Sequence, residues 1–120
     1  MSIITIILAT IVALEHFYIF YLESIATQSE ATSRVFNMDK EELSRPSVSS
    51  LFKNQGIYNG LIAVFLLYGI FTNSQLLVTV FVFNVFFAAI YGAITANKKI
   101  ILTQGGPAIL TLLSLIIPIF

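Results

Sequence analysis

The 120-residue chain contains no cysteine, and only 10% of its residues are charged. Without cysteine it can form no disulfide, no thiolate nucleophile and no iron–sulfur centre. Its six Lys and Arg residues are balanced by six Asp and Glu residues and form no basic stripe, so we expect no binding to nucleic acid. The sequence also indicates no cofactor and no metal site.

The chain consists mainly of apolar residues. They make up 58% of the chain, and the mean hydropathy is +0.94, well outside the composition of soluble domains. Four long apolar stretches predict transmembrane helices, at about residues 3–26, 51–72, 75–96 and 105–120. The predicted fold is therefore all-α, a polytopic membrane protein formed by a bundle of four transmembrane helices in one domain, residues 1–120.

The first predicted helix has no backbone signal that would end it at the membrane surface. The chain contains neither glycine nor proline before Pro46, so we expect the helix to continue as a polar cytoplasmic extension to about Phe36. Glu30 and Arg34 support that extension because they are spaced as an i,i+4 ion pair. Residues 27–50 as a whole form the predicted polar loop.

Local signals set the other helix boundaries. Ser49 or Ser50 is the expected N-cap of the second helix, and Asn73-Ser74 is the expected tight turn after it. Pro107 follows two glycines and is the expected first residue of the fourth helix.

The basic residues are distributed unevenly among the loops, and this bias predicts the orientation. The first loop and its flanks hold Arg34, Lys40, Arg45 and Lys53, and the third loop holds Lys98 and Lys99. The second loop and both termini hold none. By the positive-inside rule, the loops at about 27–50 and 97–104 are cytoplasmic and both termini are outside, in a protein of the cell membrane.

Two ionisable side chains, Glu15 and His16, lie midway along the first apolar stretch. Ionisable groups at bilayer depth are costly and mark candidate functional sites. They are about 100° apart around a helix, so they do not chelate one metal ion as an i,i+4 pair would. Tyr18 and Glu23 extend the polar arc toward the cytoplasmic end.

The second and third helices carry polar residues that are candidate partners for this arc. Asn54 and Tyr58 are spaced at i,i+4, as are Gln55 and Asn59, while Asn84 and Tyr91 share one face of the third helix. Gly56 and Gly60 form a GxxxG motif that permits close helix approach and offers one seam for a homodimer. Before the fourth helix, Gln104 and the two glycines after it are a weaker candidate for an anion or headgroup site.

The chain resembles a family of small bacterial multi-pass membrane proteins catalogued as domain of unknown function 1304. The resemblance is carried by Leu14-Glu15-His16-Phe17-Tyr18 with Glu23, by Asn54-Gln55-Gly56-Ile57-Tyr58-Asn59-Gly60 and by Gln104-Gly105-Gly106-Pro107-Ala108. It covers essentially the whole chain and implies a four-helix membrane protein whose three motifs belong to one site, but it implies no activity. A looser similarity to small multidrug exporters is limited to the position of Glu15.

These observations lead to three hypotheses. In the first, the protein binds or transports a small cationic or amphipathic molecule in a polar intramembrane pocket, with Glu15 as the proton-linked anchor. In the second, it is an intramembrane enzyme that acts on a lipid or isoprenoid by His and Glu acid–base chemistry; no motif declares a reaction, so this ranks lower. In the third, it is a structural or assembly protein without a ligand. The candidate ligand-binding residues are Glu15, His16, Tyr18, Glu23, Asn54, Gln55, Tyr58, Asn59, Asn84, Tyr91 and Gln104; the expected partners are membrane lipids, the small ligand and, as an open alternative, a second copy of the chain.

Overall fold

The computed structural model describes residues 1–95 and 103–117. In these ranges all regular structure is helical and no strand is present. The elements are α1 (Ile3–Phe20), a π-helical turn (Tyr21–Ile25), α2 (Glu30–Phe36), α3 (Lys40–Leu43), α4 (Pro46–Phe71), α5 (Gln75–Thr95) and α6 (Gly105–Ile116). The all-α prediction is confirmed. The predicted end of the third span at Asn97–Lys99, most of the third loop and the final residues of the fourth span lie outside the described residues.

Three helical stretches are long and apolar enough to cross a membrane, judged by length and composition. They are Ile3–Ile25, Pro46–Phe71 and Gln75–Thr95, with 23, 26 and 21 residues. At a rise of 1.5 Å per residue they measure roughly 31 to 39 Å, enough for a hydrocarbon core of about 30 Å. α5 is rich in valine and phenylalanine, yet it is helical over all 21 residues.

The fourth predicted span is represented by a shorter helix. α6 has 12 residues, which corresponds to about 18 Å, less than the thickness of the hydrocarbon core. It starts at Gly105, so Pro107 is its third residue rather than its first. Proline is still accommodated there, because the amide groups of the first turn have no partner within the helix. A bundle of four complete spans stays a prediction.

The predicted continuous extension of the first helix to Phe36 is wrong. The π-helical turn closes with a bond from the Ala26 amide to the Tyr21 carbonyl at 2.8 Å, and the backbone of Ala26 then leaves the helical region, with φ −99° and ψ 43°. Ser29 starts a separate helix, α2, by accepting a hydrogen bond from the amide of Thr32 at 3.2 Å. Thr32 in turn binds the open end of the first helix, since its hydroxyl lies 2.9 Å from the Leu22 carbonyl and 2.7 Å from the Ala26 carbonyl.

Two exposed ion pairs lie in the polar segment that follows. Lys40 pairs with Glu30 at 3.4 Å, and Arg45 pairs with Glu42 at 3.0 Å. The predicted partner of Glu30 was Arg34; because α2 ends at Phe36 and Asn37 is left-handed, with φ 53°, the chain turns and Lys40 reaches Glu30 instead. Exposed pairs of this kind contribute little to stability.

The second long helix starts earlier than predicted. α4 begins at Pro46, so the prediction of an N-cap at Ser49 or Ser50 is wrong, and Ser49 already donates its amide to the Arg45 carbonyl at 2.8 Å. Proline fits a first helical position because its missing amide proton is not needed there. The end at Phe71 agrees with the prediction.

The predicted turn at Asn73-Ser74 is confirmed. Asn73 is left-handed, with φ 53°, and the hydroxyl of Ser74 accepts a hydrogen bond from the Leu77 amide at 3.2 Å to cap α5. The amino group of Met1 donates to Asn73 Oδ1 at 3.4 Å, so the N-terminus and this turn lie at the same end of their unit. The assignment of that end to the cell exterior stays a prediction.

The chain divides into two compact units, Met1–Glu15 with Ala63–Phe120 and His16–Ile62. In the first unit α5 packs against α6, and the hydroxyls of Thr5 and Ser114 share a buried hydrogen bond of 2.7 Å. Five of the eleven buried apolar residues of that unit are alanines, which let helices approach closely; the eleven are Ala9, Val12, Ala13, Ala63, Leu66, Val78, Val82, Val85, Ala89, Ala108 and Leu112. The prediction of one domain over residues 1–120 stays a prediction.

Candidate functional site

Glu15 lies near the middle of the helical stretch Ile3–Ile25, about 18 Å along its axis from the first residue. Its side chain is partly buried. Its Oε1 atom is buried and, among the described residues, has no hydrogen-bond partner. Buried polar atoms almost always have one, so this oxygen is an unsatisfied acceptor.

The neighbours of Glu15 on the helix point in different directions. His16 is 3% exposed, whereas Tyr18 is 53% exposed. His16 and Tyr18 are two residues apart, about 200° around the helix, which agrees with the difference in their burial. Within residues 1–95 and 103–117, no three His, Cys, Asp or Glu side chains are grouped as a metal site requires.

Glu23 is more deeply buried than Glu15, the other acidic residue of the stretch Ile3–Ile25. It lies in the π-helical turn, is 1% exposed and accepts a hydrogen bond from Asn59 Nδ2 at 2.6 Å. The Thr27 hydroxyl donates to the backbone carbonyl of Glu23 at 2.7 Å. π-helical turns are uncommon and occur frequently at functional positions. The structure thus brings Glu23 and Asn59 together, as expected for an acid of the first helix and an amide of the second.

The predicted close approach at the GxxxG motif is confirmed within this unit. A Cβ atom at Gly56 would overlap the hydroxyl of Ser24 and lie 2.9 Å from the Ser24 amide nitrogen, and one at Gly60 would lie 3.1 Å from the Phe20 ring. The Ser24 hydroxyl also donates to the Lys53 carbonyl at 2.8 Å. Since both glycines pack against the end of the first helix, they are not available as the seam of a homodimer.

This packing explains which polar residues of α4 reach the first helix. At 100° per residue, Asn59 lies about 80° from the middle of the glycine face, whereas Gln55, Asn54 and Tyr58 lie about 120° to 180° away. Gln55, Asn54 and Tyr58 are accordingly exposed. The predicted i,i+4 ridges exist on the helix, but Asn59 is the member that contacts Glu23.

The remaining predicted residues lie in the other unit. Asn84 and Tyr91 are exposed on α5, and Tyr91 is 70% exposed. Gln104 is partly buried just before α6, and its side chain makes no cap hydrogen bond. Thr111 bonds back to the Pro107 carbonyl at 2.7 Å, as a helical threonine commonly does.

Sequence reasoning missed the hydroxyl residues that surround Glu23. Ser24, Thr27 and Thr32 all bind backbone carbonyls in this region, and Thr27 and Thr32 are buried. Their signal was present in the sequence, because five of the ten residues 24–33 are Ser or Thr. Such residues compete with the helix for backbone hydrogen bonds, so this segment favoured a break.

The described helices define a small all-helical protein in which three helices are long and apolar enough to cross a membrane, and one of these carries an ionisable group near its middle. The family described as "Protein of unknown function (DUF1304)" matches residues 10–116, and the chain belongs to this family. The chain is 61% identical over 116 residues to the uncharacterized protein YpaA of Lactococcus lactis subsp. lactis (strain IL1403), which covers 95% of this chain and 98% of that protein. No solved structure matches the chain.

Proposed function

We propose that the protein binds a small cationic or amphipathic molecule in the membrane, with Glu15 as its anchor, and moves it in exchange for protons. The observation that supports this most is the buried, unpartnered Oε1 of Glu15 near the middle of an apolar helix. A carboxyl group at that position is energetically costly, and such groups usually mark functional sites. As an acceptor that also exchanges a proton, it can hold either a cation or a proton.

Glu23 is less suited to that role. Its Oε1 already accepts a hydrogen bond from Asn59, and the side chain is almost fully enclosed. Its contacts favour a role in holding α4 against the end of the first helix. The two acids of this stretch therefore make a matched pair for an experiment, because they share the helix and differ in whether the chain supplies a partner.

Proteoliposomes that contain a pH-sensitive dye test the proposal. Tetraphenylphosphonium, a lipophilic cation, is added to vesicles with the native chain, Glu15→Gln or Glu23→Gln, and the proton movement is recorded. Glutamine keeps the shape and cannot exchange a proton. We expect the response to fall at least tenfold in Glu15→Gln and to persist in Glu23→Gln, where the new amide oxygen still accepts from Asn59. An unchanged response in Glu15→Gln would rule out the proposal.

The two other hypotheses give different outcomes. An enzyme that uses His16 and Glu15 as acid and base on a lipid or isoprenoid would leave a precursor, which lipid mass spectrometry of a deletion strain would detect. A structural or assembly protein would lose thermal stability in both glutamine variants, with no separable functional loss. The contact between Glu23 and Asn59 favours this structural role for that part of the molecule.

A homodimer remains part of the proposal, but with α5 as its interface. Asn84 lies about 13 Å along the 21-residue span, close to its middle. It is exposed and makes no hydrogen bond to any side chain that the structure describes. An amide is both donor and acceptor, so Asn84 of a second, parallel copy at the same depth can satisfy it. Ala88, one turn on and also exposed, permits close approach.

A further inference from the structure

A polar cleft of about 490 Å³ lies along the first turns of α4, within the unit His16–Ile62. Its polar lining consists of Ser44, Ser49, Ser50, Lys53 and Asn54. These side chains supply one cation, three hydroxyls and an amide, and no carboxylate lines the cleft. The set is suited to an anion with several acceptor oxygens.

Ser49 is the buried polar group of this cleft. It is 8% exposed, and its hydroxyl makes no hydrogen bond with the described residues. Among the described residues, the Ser49 hydroxyl does not make the bond to the carbonyl four residues earlier that helical serines often make. Ser44, by contrast, already donates to the Glu41 carbonyl at 2.7 Å. Ser49 therefore offers an unused donor at the wall of the cleft.

Lys53 is the cationic group. It follows Ser49 at i,i+4, which places both on one face of α4. The basic residues Lys40 and Arg45 pair with Glu30 and Glu42, whereas Lys53 pairs with no carboxylate of the described residues.

The position of Lys53 along α4 is fixed by its backbone. The Lys53 carbonyl accepts a hydrogen bond from Ser24 at 2.8 Å, which ties this turn of α4 to the π-helical turn. Lys53 also borders a second cleft of about 300 Å³, lined by polar residues such as Gln28 and Ser29. Lys53 thus lines both polar recesses.

The position of the cleft along α4 indicates that its ligand lies at the level of the lipid headgroups. Lys53 is about 10 Å along α4 from Pro46, and a lysine at such a position extends its ammonium group toward the headgroups. We propose that this cleft binds a phosphate group, held by the Lys53 ammonium and the Ser49 hydroxyl. At a membrane surface the phosphate is supplied by an anionic phospholipid or by a soluble phosphate compound, and the two sources are separable by experiment.

Native mass spectrometry of the full chain measures binding of phosphatidylglycerol, with a neutral glycolipid of the same acyl chains as the reference lipid. Inorganic phosphate is measured in parallel by its effect on thermal stability. The variants are Lys53→Gln, Ser49→Ala and, as the matched control, Lys40→Gln, which changes a basic residue of the same polar region outside the cleft. Lys53→Arg keeps the charge and tests whether binding requires a cation at this position.

We expect about tenfold weaker binding of phosphatidylglycerol in Lys53→Gln and a smaller loss in Ser49→Ala, since a charge-assisted hydrogen bond is roughly twice as strong as a neutral one. Lys40→Gln and Lys53→Arg should bind as the native chain does. A loss confined to inorganic phosphate supports the proposal with a soluble ligand. If Lys53→Gln binds both probes as the native chain does, the proposal is wrong. Equal binding of the glycolipid and phosphatidylglycerol excludes the phospholipid as the source of the phosphate. The cleft is independent of Glu15, so Lys53→Gln should keep the tetraphenylphosphonium response.

Discussion

Replacing Gly56 by alanine should separate α4 from the end of the first helix. The added Cβ would overlap the Ser24 hydroxyl, and it would lie 2.9 Å from the Ser24 amide nitrogen and 3.0 Å from the Glu23 Cβ. The hydroxyl can rotate away, but it then loses its hydrogen bond to the Lys53 carbonyl. The amide nitrogen belongs to the backbone, so the two helices must move apart.

The size of the effect follows from three contributions. Overpacking a close contact costs about 1–3 kcal/mol, and the lost hydrogen bond costs about 1 kcal/mol. Alanine regains up to about 1 kcal/mol because it favours a helix over glycine. We therefore expect Gly56→Ala to lower the free energy of unfolding by about 1–3 kcal/mol.

Two other glycines serve as graded controls. Gly60→Ala would place its Cβ 3.1 Å from the Phe20 ring, which can yield by a few tenths of an ångström, so its loss should be smaller. Gly106→Ala meets no atom within 4 Å and should be neutral or slightly stabilising. Size-exclusion chromatography after heating the detergent-solubilised protein gives the order of stability. Equal stability of Gly56→Ala and Gly106→Ala would refute the close packing described here.

Three further predictions use the same protein. Thr32→Val should lower the free energy of unfolding by about 1–3 kcal/mol, because the Leu22 carbonyl loses its hydroxyl donor and the Ala26 carbonyl keeps only the Ser29 amide; unchanged chemical denaturation in detergent would contradict it. Because the chain lacks cysteine, a single introduced cysteine reports the side of the membrane on which it lies. Asp39→Cys should react with a membrane-impermeant maleimide only after the cells are opened. Thr72→Cys should react in intact cells. The reverse pattern would overturn the orientation. Asn84→Cys should form a disulfide-linked dimer under mild oxidation, and a chain that remains monomeric would argue against the α5 interface.

The three long helices were predictable because each is a continuous apolar stretch of the length that a membrane span requires, a signal that does not depend on tertiary packing. The close contact at Gly56 and Gly60 was predictable too, since two glycines one turn apart leave a strip of bare backbone on a helix. The partner of that strip was less predictable. Sequence alone allowed a second copy of the chain, and the structure places Phe20 and Ser24 there.

The break after Ile25 could not be predicted from glycine or proline, because neither is present. It depends on hydrogen bonds between hydroxyls and backbone carbonyls, and the decisive one joins Thr32 to Leu22, ten residues apart. Similarly, the choice of Asn59 rather than Gln55 as the contact of Glu23 depends on which face of α4 the glycines turn toward the first helix. Such choices depend on packing, which single-residue preferences do not contain.

Equilibrium dialysis of radiolabelled tetraphenylphosphonium against the detergent-solubilised protein tests the central proposal most directly. The native chain, Glu23→Gln and Glu15→Asp should bind the cation, with Glu15→Asp weaker because its carboxylate is one methylene shorter. Glu15→Gln should bind it at least tenfold more weakly than the native chain while it elutes as the same folded species. Binding by Glu15→Gln that equals the native value would contradict the assignment of Glu15 as the anchor.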